Sequence, residues 1–123
     1  MHFDKNIPIY IQIEDFIQDK IMHDIWLPRE RIPAVRELAE TLEVNPNTVM
    51  RSYERLEREQ IIYNQRGIGF FVSETAVEKI KFKRSRLFFE QLPQWFNTMK
   101  TLNISMEEVI ANWTDFNNNN KKT

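Results

Sequence analysis

The sequence predicts a mainly α-helical chain with one small β-hairpin and a short helical tail. Three observations predict it. Apolar residues recur at helical spacing in three blocks before residue 60. The period then changes at Ile61-Ile62-Tyr63 and Phe70-Phe71-Val72, two β-branched and aromatic runs separated by turn residues. Helical spacing returns after Ser73 and holds until the polar end of the chain.

The elements follow in order. Residues 8–24 form a first helix, with Pro8 in the first turn, where its missing N–H is harmless, and Ile13, Phe16, Ile17 and Ile21 as its buried stripe. Pro28 and Arg29-Glu30-Arg31 make a loop, and Ile32 can make a short strand pairing before Pro33. Residues 34–42 form a second helix with Val35, Leu38, Ala39 and Leu42 on one face. Glu43 and Val44 make a tight turn. Asn45-Pro46 then opens a third helix: Asn caps well and Pro suits the next position. Val44 and Val49 can staple that start. The helix reaches about Glu59, with Val49, Tyr53 and Leu56 inward. Residues 61–72 form the hairpin, with Asn64 to Gly69 at its turn.

In the tail, Thr75 with Glu78 makes a capping box. Val77, Ile80, Leu87, Phe88, Leu92, Trp95, Met99 and Leu102 continue a helical stripe, which Pro93 is expected to break or kink. Ser105 with Glu108 is a second capping box, before a last helix with Met106, Val109, Ile110 and Trp113. Asn117 to Thr123 is polar low-complexity sequence, expected to be disordered. The expected division is 1–73 as one domain, 74–116 as a helical dimerisation region and 117–123 as a tail.

Composition narrows the function. The chain has 123 residues, 41% hydrophobic and 28% charged, which suits one globular domain with an appendage. It has no cysteine, so disulfides, thiolate nucleophiles and cysteine-based metal sites are excluded. His2 and His23 are isolated, and no nucleophile–base arrangement, phosphate loop or metal cluster is visible. A catalytic site, a metal and a cofactor are therefore not expected. Nor is a membrane partner: no signal-peptide pattern opens the sequence, and no apolar run approaches the ~20 residues of a span. The cytoplasm is the expected location. Net charge is −1. Residues 1–73 hold 9 Lys and Arg against 12 Asp and Glu, so any nucleic-acid surface there needs its basic groups gathered on one face.

Helix, helix, tight turn, helix, hairpin is the winged helix-turn-helix plan. Its third helix can enter a major groove while the second crosses the backbone. Four blocks carry a more specific likeness. They are Pro8-Ile9-Tyr10-Ile11-Gln12-Ile13, Ile32-Pro33-Ala34-Val35-Arg36-Glu37-Leu38-Ala39, Val44-Asn45-Pro46-Asn47-Thr48-Val49 with Tyr53-Glu54-Arg55-Leu56-Glu57-Arg58-Glu59, and Arg66-Gly67-Ile68-Gly69-Phe70-Phe71-Val72. In this order and spacing the chain resembles the GntR family of bacterial regulators, and within it the YtrA-like subfamily, from Pro8 to Val72. The resemblance implies a transcription regulator that binds double-stranded operator DNA, a repressor more than an activator. It also implies a C-terminal part that serves for homodimerisation, and relatives that often control transporter genes.

The resemblance implies DNA contacts from Arg36, from the start of the third helix and from the wing tip. The residue chemistry agrees. Arg36 lies opposite the apolar face of its helix, where pairing with Glu40 is the plainer alternative. Asn45 is first a helix cap, with its backbone available to a phosphate. Asn47 and Thr48 lie in the first turn, where amide and hydroxyl groups can reach bases or phosphate. Arg51 follows one turn later. Arg55 is surrounded by Glu54, Glu57 and Glu59 and reads less clearly. Arg66 and Gly67 form the wing tip. Departures bear on which operator is read: Pro46 and Met50 stand where many relatives carry Arg, and Ile68 stands between the wing glycines. Ala34 replaces a common Ser, while Arg29 and Gln60 replace common glycines.

The basic group Lys79, Lys81, Lys83, Arg84 and Arg86 reads as a solvated helix face ahead of a second nucleic-acid patch. Leu87, Phe88, Leu92, Trp95, Phe96, Met99 and Trp113 read as a dimerisation surface ahead of a ligand pocket, because a few short helices cannot bury so much aromatic area alone. No motif identifies a small-molecule effector. A winged-helix protein–protein adaptor is the alternative, favoured slightly by the acidic balance of residues 1–73.

Overall fold

The computed structural model describes residues 2–121. The elements run α1 (Ile9–Met22), α2 (Val35–Leu42), α3 (Pro46–Arg58), β1 (Ile62–Gln65), β2 (Gly69–Val72), α4 (Ala76–Leu102) and α5 (Met106–Asn120). The strands pair antiparallel in the register Ile62 with Val72 through Gln65 with Gly69. The segment before α2 adds a short third edge: Arg31 bridges to Phe71, and Ile32 N–H donates to Phe70 O at 2.9 Å. The expected pairing at Ile32 is thus centred one residue earlier.

The first compact unit runs through Arg84 and the second begins at Ser85. The core of the first draws Ile13, Ile17 and Ile21 from α1, Leu38, Ala39 and Leu42 from α2, and Val49, Tyr53 and Leu56 from α3. The hairpin closes it with Ile62 and Val72. Each fully buried aliphatic side chain contributes about 1.5–3 kcal/mol. Ala76 and Ile80, at the start of α4, are also buried in this core. The first compact unit therefore extends past Ser73 into α4. Secondary structure changes at Ser73, but apolar burial continues for two more turns.

The break expected at Pro93 and the disorder expected at Asn117 to Asn120 are corrected. Pro93 lies inside α4, which continues past it to Leu102. A helical proline removes one backbone donor and clashes with the carbonyl four residues back, a cost of roughly 3 kcal/mol, and a 27-residue helix carries it. Asn117 to Asn120 are not disordered but extend α5. Once a helix is nucleated, each added residue gains a hydrogen bond, and neither Pro nor Gly interrupts here. Lys122 and Thr123 lie outside the described residues. Ser105 and Glu108 form the expected capping box, with Glu108 N–H donating to Ser105 Oγ at 3.2 Å and Ser105 N–H to Glu108 Oε2 at 2.7 Å. At the start of α4 the Thr75 hydroxyl lies 3.4 Å from Ser73 Oγ instead of forming the expected box with Glu78. Among the described residues, no helix is long and apolar enough to cross a membrane.

Candidate nucleic-acid interface

The helix α3 is fixed by its own cap and by bonds to two other segments. At its start, Asn45 Oδ1 accepts from Asn47 N–H at 2.8 Å, with Pro46 in the first turn. Toward α2, Tyr53 Oη donates to Pro33 O at 2.6 Å. Burial pushes this hydroxyl far above its ordinary range, so it remains a donor. Toward α1, the buried Ser52 hydroxyl donates to Tyr10 O at 2.7 Å. One turn further, Arg55 Nε lies 3.1 Å from both oxygens of Glu14, whose side chain is 6% exposed.

These ties leave part of the α3 surface outward. Asn47, Met50, Arg51 and Glu54 are exposed there, and Thr48 is half-buried. The Arg51 guanidinium lies over the Tyr10 ring at 3.7 Å and enters no ion pair among the described residues. Asn45 spends its side-chain oxygen on the cap, as its position predicts. Arg36 is exposed on α2 and is not paired with Glu40 among the described residues. Arg55 is the exception in the expected set: its Nε edge is committed to Glu14, so its first role is to hold α3 on α1.

Arg66, Gly67 and Ile68 form the exposed turn between β1 and β2. Gly67 has φ +80° and open space where a Cβ would stand. Gly69 has φ +144°, and a Cβ there would meet Arg31 Nε at 2.8 Å. The Arg31 side chain thus crosses the base of the wing against Gly69, whose φ suits glycine. Behind it Tyr63 and Phe71 stack with centroids 5.6 Å apart.

Sequence reasoning did not single out Tyr10, Glu14, Arg31 or Ser52. Signals existed for two of them. Glu14 is flanked by inward Ile13 and Ile17, and Ser52 lies three residues after buried Val49, so both sit on apolar faces and need partners.

Part of the acidic charge is met by pairing. Glu14, Asp19, Glu59 and Glu74 are engaged by Arg55, Arg84, Lys83 and Arg29 respectively. Arg31, Arg36, Arg51, Arg58 and Arg66 enter no ion pair among the described residues. The basic group on α4 is largely consumed. Lys79 donates to Gln60 Oε1 at 2.9 Å, Lys83 and Arg84 bind Glu59 and Asp19, and Arg86 faces Glu90 at 3.6 Å. That favours a solvated, internally paired face.

In the second unit, Leu87, Phe88, Trp95, Phe96 and Trp113 are exposed, and Leu92 and Met99 half-buried. Phe88, Leu92, Trp95, Phe96 and Met99 line one side of an open apolar groove of about 630 Å³, closed by Ile104, Met106 and Val109. Leu87 lies outside that lining, as does Trp113, which stacks on Phe116.

Comparison with known proteins gives a consistent result. The family model described as bacterial regulatory proteins, gntR family, matches residues 9–72. The HTH-type transcriptional regulator YhcF of Bacillus subtilis is 38% identical over 88% of this chain and 88% of its own length. The HTH-type transcriptional repressor YtrA of the same organism is 35% identical over 83% of this chain and 78% of its own. A solved GntR-family regulator from Bacteroides thetaiotaomicron superposes with TM-score 0.80 at 41% identity, covering 91% of this chain and 98% of its own. The DNA-binding domain of AraR, solved with operator ORX1, matches 55% of this chain and 81% of its own at TM-score 0.53 and 28% identity. With the winged helix-turn-helix and the family match both in place, the chain belongs to the GntR family of DNA-binding transcriptional regulators.

Proposed function

We propose that the protein is a homodimeric repressor that binds a pseudo-palindromic operator. The observation that carries the reading is the outward face of α3. Asn47, Thr48 and Arg51 stand there on a helix tied down on its other sides, with unpaired Arg36 before it and Arg66 beyond it. In this reading Asn47, Thr48 and Arg51 enter the major groove, and Arg36 and the Asn45 backbone meet phosphate. Arg66 and Gly67 bring the wing against the adjacent backbone. Arg55 contributes mainly by holding α3. AraR's operator complexes support DNA as the partner.

The apolar face of the second unit supports the homodimer. Its aromatic residues exceed what scattered surface hydrophobics explain, and a second copy of the same face would cover them. Two-fold symmetry then sets half-sites about 34 Å apart, or a multiple. The setting is the cytoplasm, and control of transporter genes is a regulon suggested by likeness to YtrA.

Fluorescence anisotropy with DNA from the gene's own upstream region, across a salt series and beside scrambled DNA, tests this. Tight salt-sensitive binding to one segment, lost in Arg36→Ala and Arg51→Ala, is the expected result. Absence of binding at low salt would overturn it and favour the protein–protein adaptor.

A further inference from the structure

We propose that Tyr10 is a positioning residue for operator reading: its ring is the platform that holds the Arg51 guanidinium ready for DNA. The inference rests on the reading of Arg51 as a DNA contact. Its observations are separate from that reading. The guanidinium carbon of Arg51 lies 3.7 Å from the centroid of the Tyr10 ring, and that of Arg55 lies 5.0 Å from the same centroid. A guanidinium stacked on an aromatic face keeps its N–H donors free around its edge. Arg51 enters no ion pair among the described residues, so nothing on the protein competes for that edge. Glu54, one turn on, is exposed but does not pair with it.

The platform is itself fixed. The Tyr10 carbonyl accepts from buried Ser52 at 2.7 Å, which seats the start of α1 on α3. Arg55 is anchored to Glu14 while its guanidinium carbon lies 5.0 Å from the ring centroid. Two cations thus share one aromatic ring without an anion between them and Tyr10. One, Arg55, is neutralised by Glu14, and the other is not. A ring used only for packing would not need an unpaired arginine on its face. A long arginine side chain held in place before binding loses less rotamer freedom on the DNA, which raises affinity without a new contact.

The test uses the full chain and a duplex enriched from a randomised pool by the wild-type protein. Tyr10→Phe keeps the ring and drops the hydroxyl, whereas Tyr10→Leu removes the ring. Expected results are binding within about twofold of wild type for Tyr10→Phe and roughly three- to tenfold weaker binding for Tyr10→Leu. Tyr10→Leu should add nothing in an Arg51→Ala background. In the free protein, the Arg51 side-chain N–H resonance should show a ring-current shift that Tyr10→Phe keeps and Tyr10→Leu loses, with urea midpoints confirming that each variant folds. Equal losses for Phe and Leu would assign the effect to the hydroxyl and overturn the platform. So would an undiminished Tyr10→Leu effect without Arg51. If Arg51→Ala weakens binding and Tyr10→Leu does not, the platform alone falls. If no duplex is enriched, the DNA reading falls with it.

Discussion

Glu14 and Arg55 show how one residue can be mistaken for another's function. Burial holds the Glu14 carboxyl above its ordinary range, and Arg55 draws it back only in part. Removing Arg55 takes away the main opposition to burial, leaving only the weaker pull of Lys83, so the folded-state pKa rises further. The folded state then holds its proton more tightly than the unfolded chain. Stability is fully present below the unfolded carboxyl pKa, near 4.3, and is lost as pH rises through the folded value. Arg55→Met should therefore be nearly harmless at pH ~4 and destabilising by about 1–3 kcal/mol at pH ~7. That lies below the range for fully buried pairs because the Arg55 side chain remains 39% exposed. Urea midpoints across this range check it, and equal losses at both ends would contradict it. Ala34 offers a change in the other direction. Its backbone has N-cap geometry, φ −63° and ψ 155°, and Glu37 Oε1 already accepts from its N–H at 3.2 Å. Ala34→Ser supplies the missing half of the box and should raise stability by about 0.5–1 kcal/mol in the same assay.

The wing separates two glycines that look alike in sequence. Gly67→Ala meets only an unfavourable φ in open space, a cost of about 1 kcal/mol. Gly69→Ala meets a more unfavourable φ of +144° and also displaces the Arg31 side chain, so it should cost more and loosen the hairpin. Amide exchange of Phe70 and Val72 distinguishes the two, and equal protection in both variants would discount the Arg31 contact. Elements set by local chemistry were legible. Asn45-Pro46 and Ser105 with Glu108 mark helix starts because caps act within three residues. Arg29 and Gln60, standing where relatives carry glycine, have φ of 67° and 61°, so the turn keeps its left-handed form without the residue that suits it. The break expected at Pro93 and the disorder expected at Asn117 to Asn120 were misread because proline and polar low complexity were weighed without the helix that continues through each. The ties from α3 to α1 join residues 41 and 42 apart, and no spacing rule reaches that far.

At the scale of the molecule, net charge is a poor guide to the DNA-facing surface. Four acids of the first unit, Glu14, Asp19, Glu59 and Glu74, pair with its own cations, while among the described residues arginines remain unpaired on α2, α3 and the wing. The order of elements was legible from apolar period alone, but the unit boundary was not, because Ala76 and Ile80 carry the first core into α4. The exposed face of the second unit has a spectroscopic consequence. Trp26 is half-buried, edge-on to Phe16 at 6.3 Å, whereas Trp95 and Trp113 are 65% and 61% exposed. If two copies close over that face, two of the three indoles pass from water to an apolar setting. Emission should then shift to the red on dilution, in step with a fall in sedimentation mass from dimer to monomer. A monomeric mass at every concentration would remove the dimer. A dimer closed in this way would carry an optical gauge of its own association, with Trp26 as the built-in reference.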